Sequence, residues 1–332
     1  MSHRRPALKR LVAGLAGAAA VLSAAPAFAQ DYPTRAISIT VPFAAGGPTD
    51  TVARTVADAM AKAMPGANFV VENAAGAGGT IGVGKVARAK PDGYSLLVFH
   101  IGMATQPSLY RKLQYKPLED FEFIGMINEV PMTIMVKNDL PAKNMAELVP
   151  YLKANASKVT LANAGIGAAS HLCGLMFQAA ISQELVTVPY KGTAPAMADL
   201  MGGQVDLLCD QTTNTTPQIK GGKVKAIAIT SPKRIPSLPD VPTMIEQGYK
   251  DFDISIWHGM YAPKGTPKAV IDKLVAGLQQ ALKDENLNKR FADLGATTVS
   301  TDRATPEALR KHLASEIDRW RPVIQKAGVY AD

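Results

Sequence analysis

Short β-branched runs alternate with longer stretches of helical periodicity along almost the whole chain, and this alternation constrains the fold more than any other feature. A strand followed by a helix and another strand buries its apolar surface by laying helices over a sheet. The pattern therefore predicts an α/β architecture of βαβ units on a largely parallel sheet. Strands are predicted at 37–42, 68–72, 95–99 and 121–127, with helices at 50–64 and 82–89. After Pro131 the cycle begins again, with strands at 133–136, 159–162, 186–189, 207–209 and 224–230 and helices at 145–155, 170–180 and 194–201. Pro236–Pro242, with three prolines in seven residues, reads as a rigid surface connection. Helices at 267–282, 285–294 and 306–326 close the chain, the first opening on a proline suited to a first turn. A chain that builds one lobe, then a second, and returns to finish the first crosses between them twice. The crossings are placed near 128–131 and 253–258.

The first 29 residues are set apart as a signal peptide. Arg4, Arg5, Lys9 and Arg10 precede an apolar run from Leu11 to Ala24, and Ala27-Phe28-Ala29 places small residues where signal peptidase inspects them. The run falls short of the ~20 residues that span a bilayer, so cleavage after Ala29 and export to the periplasm are expected. Loss of those four basic residues lowers the formal net charge from +8 to +4. The mature surface is then mildly basic, with no Lys/Arg run of the kind that binds nucleic acid. Cys173 and Cys209 would meet an oxidising compartment, which leaves two readings open: a disulfide, or two buried thiols.

Chemistry is carried by glycine-rich loops. Pro42-Phe43-Ala44-Ala45-Gly46-Gly47-Pro48-Thr49-Asp50 lies between a predicted strand and a predicted helix, where N–H groups and a helix start favour an anion. Asp50 or Thr49 is also a good N-cap, so a tight turn with no ligand stands beside the anion site. Asn163 to Ser170 repeats the context further along the chain. Facing loops at the carboxyl ends of strands would converge on one cleft, suited to a dicarboxylate or to a monocarboxylate with a second polar group. Asn73 to Gly82 fails both the dinucleotide and the phosphate-loop spacings and is expected to be a structural turn, with a supporting place near the cleft as the lesser reading. His100, His171 and His258 are isolated from one another, which argues against a metal site. His100 either reaches the cleft or sits solvated in a loop. Ser170 beside His171 is not a hydrolase arrangement, since adjacent residues rarely share the required hydrogen bond and no G-x-S-x-G is present.

With these residues in place, the mature chain resembles the Bug family, the solute receptors of tripartite tricarboxylate transporters. The resemblance rests on Val41 to Asp50, Val71-Glu72-Asn73, Gly76 to Gly79, Pro91-Asp92-Gly93-Tyr94, Gly167 to Leu172, Pro189-Tyr190-Lys191-Gly192 with Pro195, and Gly203 to Asp206. It implies a two-lobed periplasmic-binding-protein fold of the Venus flytrap, type II-like kind, each lobe a mixed sheet flanked by helices. Lobe 1 would comprise residues 30–128 with 257–332, and lobe 2 residues 129–256. It further implies a binding protein, not an enzyme, that needs no cofactor, works as a monomer, and delivers a small di-, tri- or aromatic carboxylate to large and small membrane subunits. A receptor for a signalling partner is the alternative, a secreted hydrolase the remote one. Ligand contacts carried over from the family are Phe43, Ala44, Gly46, Gly47, Thr49 and Asp50 in the first loop and His100 with Met103 in the next. In lobe 2 they are Ala168, Ser170, Tyr190, Lys191, Gly192 and Asp210. Ile101-Gly102-Met103 departs from the small polar residues of many relatives and implies a less polar pocket.

Overall fold

A computed structural model describes residues 32–331; the expected signal peptide and its cleavage point lie outside the described residues. The chain runs β1 (Ile37–Val41), α1 (Pro48–Ala63), β2 (Phe69–Asn73), α2 (Thr80–Ala87), β3 (Ser95–His100), α3 (Gly102–Leu109) and β4 (Phe121–Val136). It continues through α4 (Met145–Asn155), β5 (Thr160–Asn163), α5 (Ala169–Ile181), β6 (Val186–Pro189), α6 (Thr193–Met201), β7 (Leu207–Gln211), α7 (Thr212–Lys220) and β8 (Lys225–Ile229). It ends with β9 (Ser255–Pro263), α8 (Lys268–Ala281), α9 (Glu285–Asp293), β10 (Thr297–Thr298) and α10 (Pro306–Ala327).

Where two strands were expected on either side of Pro131, the backbone stays extended as the single strand β4. Proline lacks the N–H a ladder needs, and it sits where the ladder changes partners. Up to Pro131, which lies opposite Ser255, β4 pairs antiparallel with β9; from Met132 onward it pairs with β7, and from Thr133 with β8. Two sheets thus share one strand. The first has the order β2-β1-β3-β9-β4, with β10 also on β4; the second runs β4-β7-β5-β6, with β8 on β4. The β1, β2, β3 pairings and the β5, β6, β7 pairings are parallel while every pairing to β4 and β9 is antiparallel, so the sheets are mixed rather than largely parallel. Thr230 stitches the second passage of the chain to β4: its amide donates to Met132 O, and its hydroxyl accepts from Met132 N and donates to Ile254 O at 2.6 Å.

Helices form where the local signals suggested. Pro48 stands at the start of α1, and Val52, Val56, Ala59 and Met60 bury one face. In α4 the Asn144 side chain accepts from Glu147 N while the Glu147 carboxylate accepts from Lys143 N. This closes both ends of the first turn. α3 and α7 were not expected, because α3 opens on glycine and contains Pro107, and α7 is Thr-Thr-Asn-Thr-Thr-Pro, a run of weak helix formers. Tertiary hydrogen bonds supply what propensity does not: Thr212 and Thr216 donate to the carbonyls of Gly295 and Leu294, and the hydroxyls of Thr215 and Thr133 share a bond of 3.0 Å.

Cys173 on α5 is bonded to Cys209 on β7, with Cα atoms 6.1 Å apart. The bridge fastens the helix that begins at the cleft to the strand that ends there. Closing a loop of 36 residues restricts the unfolded chain by about 3–4 kcal/mol. Reduction with a thiol, followed by urea titration, is expected to lower the unfolding free energy by about that amount. Full alkylation of the untreated protein in mass spectrometry would contradict the bridge.

Candidate functional site

The loop from β1 to α1 is shaped from beneath by Asp50. One of its carboxylate oxygens accepts from Gly46 N and from Arg54 Nε, each at 2.9 Å, and the other from Asn73 Nδ2 at 2.9 Å. Asn73 Nδ2 also donates to Phe43 O. Burial alone would raise the Asp50 carboxyl, and the Arg54, Gly46 and Asn73 donors outweigh it and hold it below the ordinary carboxylate range. Both oxygens are thereby spent on the loop, so Asp50 serves as a brace. What the segment offers outward is the first turn of α1, whose Thr49 and Asp50 amides have no upstream carbonyl.

The second loop, Asn163 to Ser170, consumes most of its own donors. Ala164 N bonds Ser170 Oγ, Gly165 N bonds Asn163 Oδ1, Gly167 N bonds His171 Nδ1 and Ala168 N bonds Gly165 O. Its outward groups are again the first-turn amides of a helix, α5. Between the loops lies a cavity of about 10 Å3 lined by Phe43, Pro48, Thr49, His100, Ala164, Ala169, Ser170, Thr193, Asp210 and Gln211. Pro48 and Thr49 open α1, Ala169 and Ser170 open α5, Thr193 opens α6, and Gln211 immediately precedes α7. Four helix N-termini from the two sheets therefore aim unpaired N–H groups and positive dipole ends at one buried point, which favours a negative charge there. The cavity is about one water in size. A space of that size holds no organic acid while the lobes stay in this arrangement.

The site is tied to the strands where the chain crosses. His100, His258 and Asn128 lie side by side on β3, β9 and β4. With the Asn128 amide oxygen facing the ring at 2.9 Å, His258 Nδ1 donates to it, and Nε2 accepts from Thr49 Oγ1 at 3.3 Å. Burial drives His100 down to about 3 and His258 well below its usual value. Both rings are neutral at any physiological pH. Phe43 and Phe99 pack on His100 at 5.0 and 4.6 Å, so this histidine is buried at the cavity and not solvated in a loop.

Of the expected contacts, Phe43, Thr49, His100, Ser170 and Asp210 meet at the cavity wall. Ala44 lies at the lobe junction, its amide donating to Lys191 O at 3.1 Å. Gly46 holds Asp50 through its amide, and a Cβ on Gly47 would approach Ala194 N and Thr193 Oγ1 across the cleft. Met103 and Ala168 are buried behind the wall, as is Ile101, so the residues that suggested a less polar pocket do not line it. Tyr190 donates its hydroxyl to Asp199 at 2.6 Å, and the Lys191 side chain is exposed; neither residue lines the cavity. Thr193 and Gln211 escaped the sequence reading because a helix at 212–220 was not expected and α6 was started one residue late. Among the described residues no cluster of three His, Cys, Asp or Glu could hold a metal.

Two loops also touch by glycine. Gly78, at φ +61, packs against Ile166 so closely that a Cβ would lie 1.8 Å from Ile166 O, and a Cβ on Gly165 would lie 2.9 Å from Gly78 N. Asn73 to Gly82 thus does stand at the cleft. Tyr110 OH donates to Ile166 O at 2.8 Å and Thr105 Oγ1 to Gly167 O at 3.1 Å, completing the closure.

Asp50→Ala removes the charged acceptor shared by Gly46 N, Arg54 Nε and Asn73 Nδ2, and is expected to cost about 1–3 kcal/mol in urea unfolding at pH 7. Because the folded carboxyl is held below its unfolded value, this contribution is present at neutral pH and fades as pH falls below about 4. The wild-type and variant stability curves should therefore converge in acid; a constant offset down to pH 2 would remove Asp50 from this role.

A family model described as the tripartite tricarboxylate transporter family receptor matches residues 52–329. The periplasmic binding protein BugD is 56% identical, with a TM-score of 0.88 over 91% of this chain and 100% of that one. MatC of Rhodopseudomonas palustris, solved with bound malate, is 38% identical, with a TM-score of 0.85 over 88% of this chain and 100% of that one. An R. palustris protein solved with adipate is 31% identical, with a TM-score of 0.85 over 90% and 99%. Like these neighbours the chain has an α/β, two-lobed periplasmic-binding-protein fold. By motif, family model and structure alike, it belongs to the tripartite tricarboxylate transporter receptors, the Bug family of solute-binding proteins.

Proposed function

We propose that the chain is exported, cleaved after Ala29, and works in the periplasm as a non-catalytic receptor that captures a dicarboxylate of about four to six carbons. It then delivers the acid to the membrane subunits of a tripartite transporter. The observation that carries this reading is the meeting of four helix N-termini, two lobes contributing, at one buried cavity. Malate and adipate in two structural neighbours support a dicarboxylate. The lobe division is proposed to follow the handover along β4, with residues 30–128 and 257–332 on one side and 129–256 on the other. The proposed contacts are the wall residues Phe43, Thr49, His100, Ser170, Thr193, Asp210 and Gln211, with Ala44, Gly46, Gly47, Asp50, Met103, Ala168, Tyr190, Lys191 and Gly192 shaping the loops that bear them. Gln211 Oε1 is buried and without a partner among the described residues, so a hydroxylated acid has an acceptor waiting for its donor.

A ligand that binds only the folded chain raises its melting temperature by mass action. A thermal-shift screen is expected to give stabilisation of roughly 2–3 kcal/mol with malate, succinate or adipate at about 100 times Kd, and none with glucose or an uncharged diamide. The absence of a shift with every di- and tricarboxylate would sink the reading. Closure is tested separately by Gly78→Ala, which touches no wall residue. It should leave the circular dichroism spectrum intact and weaken binding by roughly 100-fold, because the binding-competent closed state is blocked. Unchanged affinity would show that the lobes need not meet at Gly78.

A further inference from the structure

Of the described residues that line the cavity, only His100 and Asp210 titrate, and His100 is neutral. Asp210 stands one residue from the end of β7 in the second sheet and is 1% exposed. Its carboxyl accepts from Asn214 Nδ2 at 2.6 Å, and the remaining groups acting on it are the Thr193 hydroxyl and the Gln211 amide. None carries a charge. Around it β4 contributes Thr133, α5 Ser170, α6 Thr193, α7 Asn214, the first loop Phe43, Pro48 and Thr49, and β3 His100. A buried carboxyl without a cation thus faces the same point at which four helix N-termini invite an anion.

Those two features conflict when the anion arrives. Two carboxylates in one closed, water-poor space cannot both keep their charge cheaply, and a single proton between them removes the repulsion. We propose that Asp210 meets the bound dicarboxylate as a carboxylic acid, donating its proton to a ligand oxygen, so that capture takes up about one proton from solution. Burial alone already lifts this carboxyl to about 6, against the pull of Asn214, Thr193 and Gln211, so it is largely ionised in free protein at pH 8 and readily protonated. The inference rests on the dicarboxylate reading and adds to it what the second lobe contributes: a donor that recognises an anionic oxygen.

The test is calorimetry with L-malate between pH 6 and 8, in pairs of buffers that differ in ionisation enthalpy. Wild-type protein is expected to take up close to one proton at pH 7.5. Its Kd should rise by roughly tenfold per pH unit from 7 to 8 and flatten toward 6. The histidines near the cavity are silent in this window, since burial lowers His100 to about 3, His171 to about 4 and His258 well below its usual value; burial also lowers His312, which lies outside the cavity wall. Asp210→Asn keeps the shape and a donor while removing the titration, so it should lose the pH slope and bind more tightly than wild type at pH 8. It should also raise the melting temperature of ligand-free protein more at pH 8 than at pH 5, because the ionised carboxyl is the costly form in the fold. Malate binding with no proton uptake, or an Asn variant weaker at every pH, overturns the proposal and leaves the receptor reading standing, with Asp210 then acting as an acceptor. If malate does not bind, succinate and adipate are titrated in the same way, and no binding by any di- or tricarboxylate at any pH overturns both. The wild-type proton count stands even if the variant fails to fold.

Discussion

The ladder of β4 changes partners at Pro131, and the rest of the molecule hangs on that handover. One edge of hydrogen bonding cannot serve two sheets at one residue, so the residue without an N–H falls where neither needs it. Each sheet then carries its own helices, and the carboxyl ends of their parallel strands face one another across the junction. Without a shared strand the two sheets would need a tether. With it they keep a common axis, and the row His100, His258 and Asn128 carries that axis into the first loop through Thr49.

Placing helix N-termini, rather than Lys or Arg, at the cavity has a consequence for what it can recognise. Main-chain donors cannot be withdrawn by a rotamer change and are aimed before the ligand arrives, which suits rapid capture. They also discriminate poorly between carboxylates, since each sees only an anionic oxygen. Selectivity must therefore come from side chains that reach the same space, and here these are few: Thr49, His100, Ser170, Thr193, Asp210 and Gln211 with the ring of Phe43. The wall is short of charge, so the distance between ligand oxygens and the presence of donors on its carbon chain carry the choice.

The parts of this arrangement that were legible in the amino-acid sequence share a property: they are local. Strand and helix periods, the Gly46-Gly47 loop and the Asn163 to Ser170 loop declare themselves within a window of about ten residues. β9 did not, because a strand buried between β3 and β4 has no polar alternation and contains Gly259. α7 did not, because its threonines gain their hydrogen bonds from Gly295, Leu294 and Thr133, distant in the chain. The bracing role of the Asp50 side chain was not legible either, because Gly46, Arg54 and Asn73 converge on its carboxylate only in the fold. Gly78 shows the same limit, since its requirement for glycine is set by Ile166, almost ninety residues away.

The contacts that hold the lobes together are also revealing in their modesty. Ala44, Thr105 and Tyr110 each donate to a carbonyl of the second lobe, and Thr212 and Thr216 return bonds to the turn at Leu294 and Gly295. Neutral hydrogen bonds of this kind contribute about 1 kcal/mol apiece once water is accounted for, so closure by itself is worth on the order of 5 kcal/mol before the ordering of the loops is charged against it. A ligand shifts such an equilibrium only by its differential affinity for the two states, so what it gains from the second lobe is what favours closure. A tighter seam, with side chains in place of Gly78, Gly165 and Gly192, would hold the lobes at a distance. A seam of ion pairs would close them without cargo. Backbone contact at glycine keeps the balance within reach of a small acid.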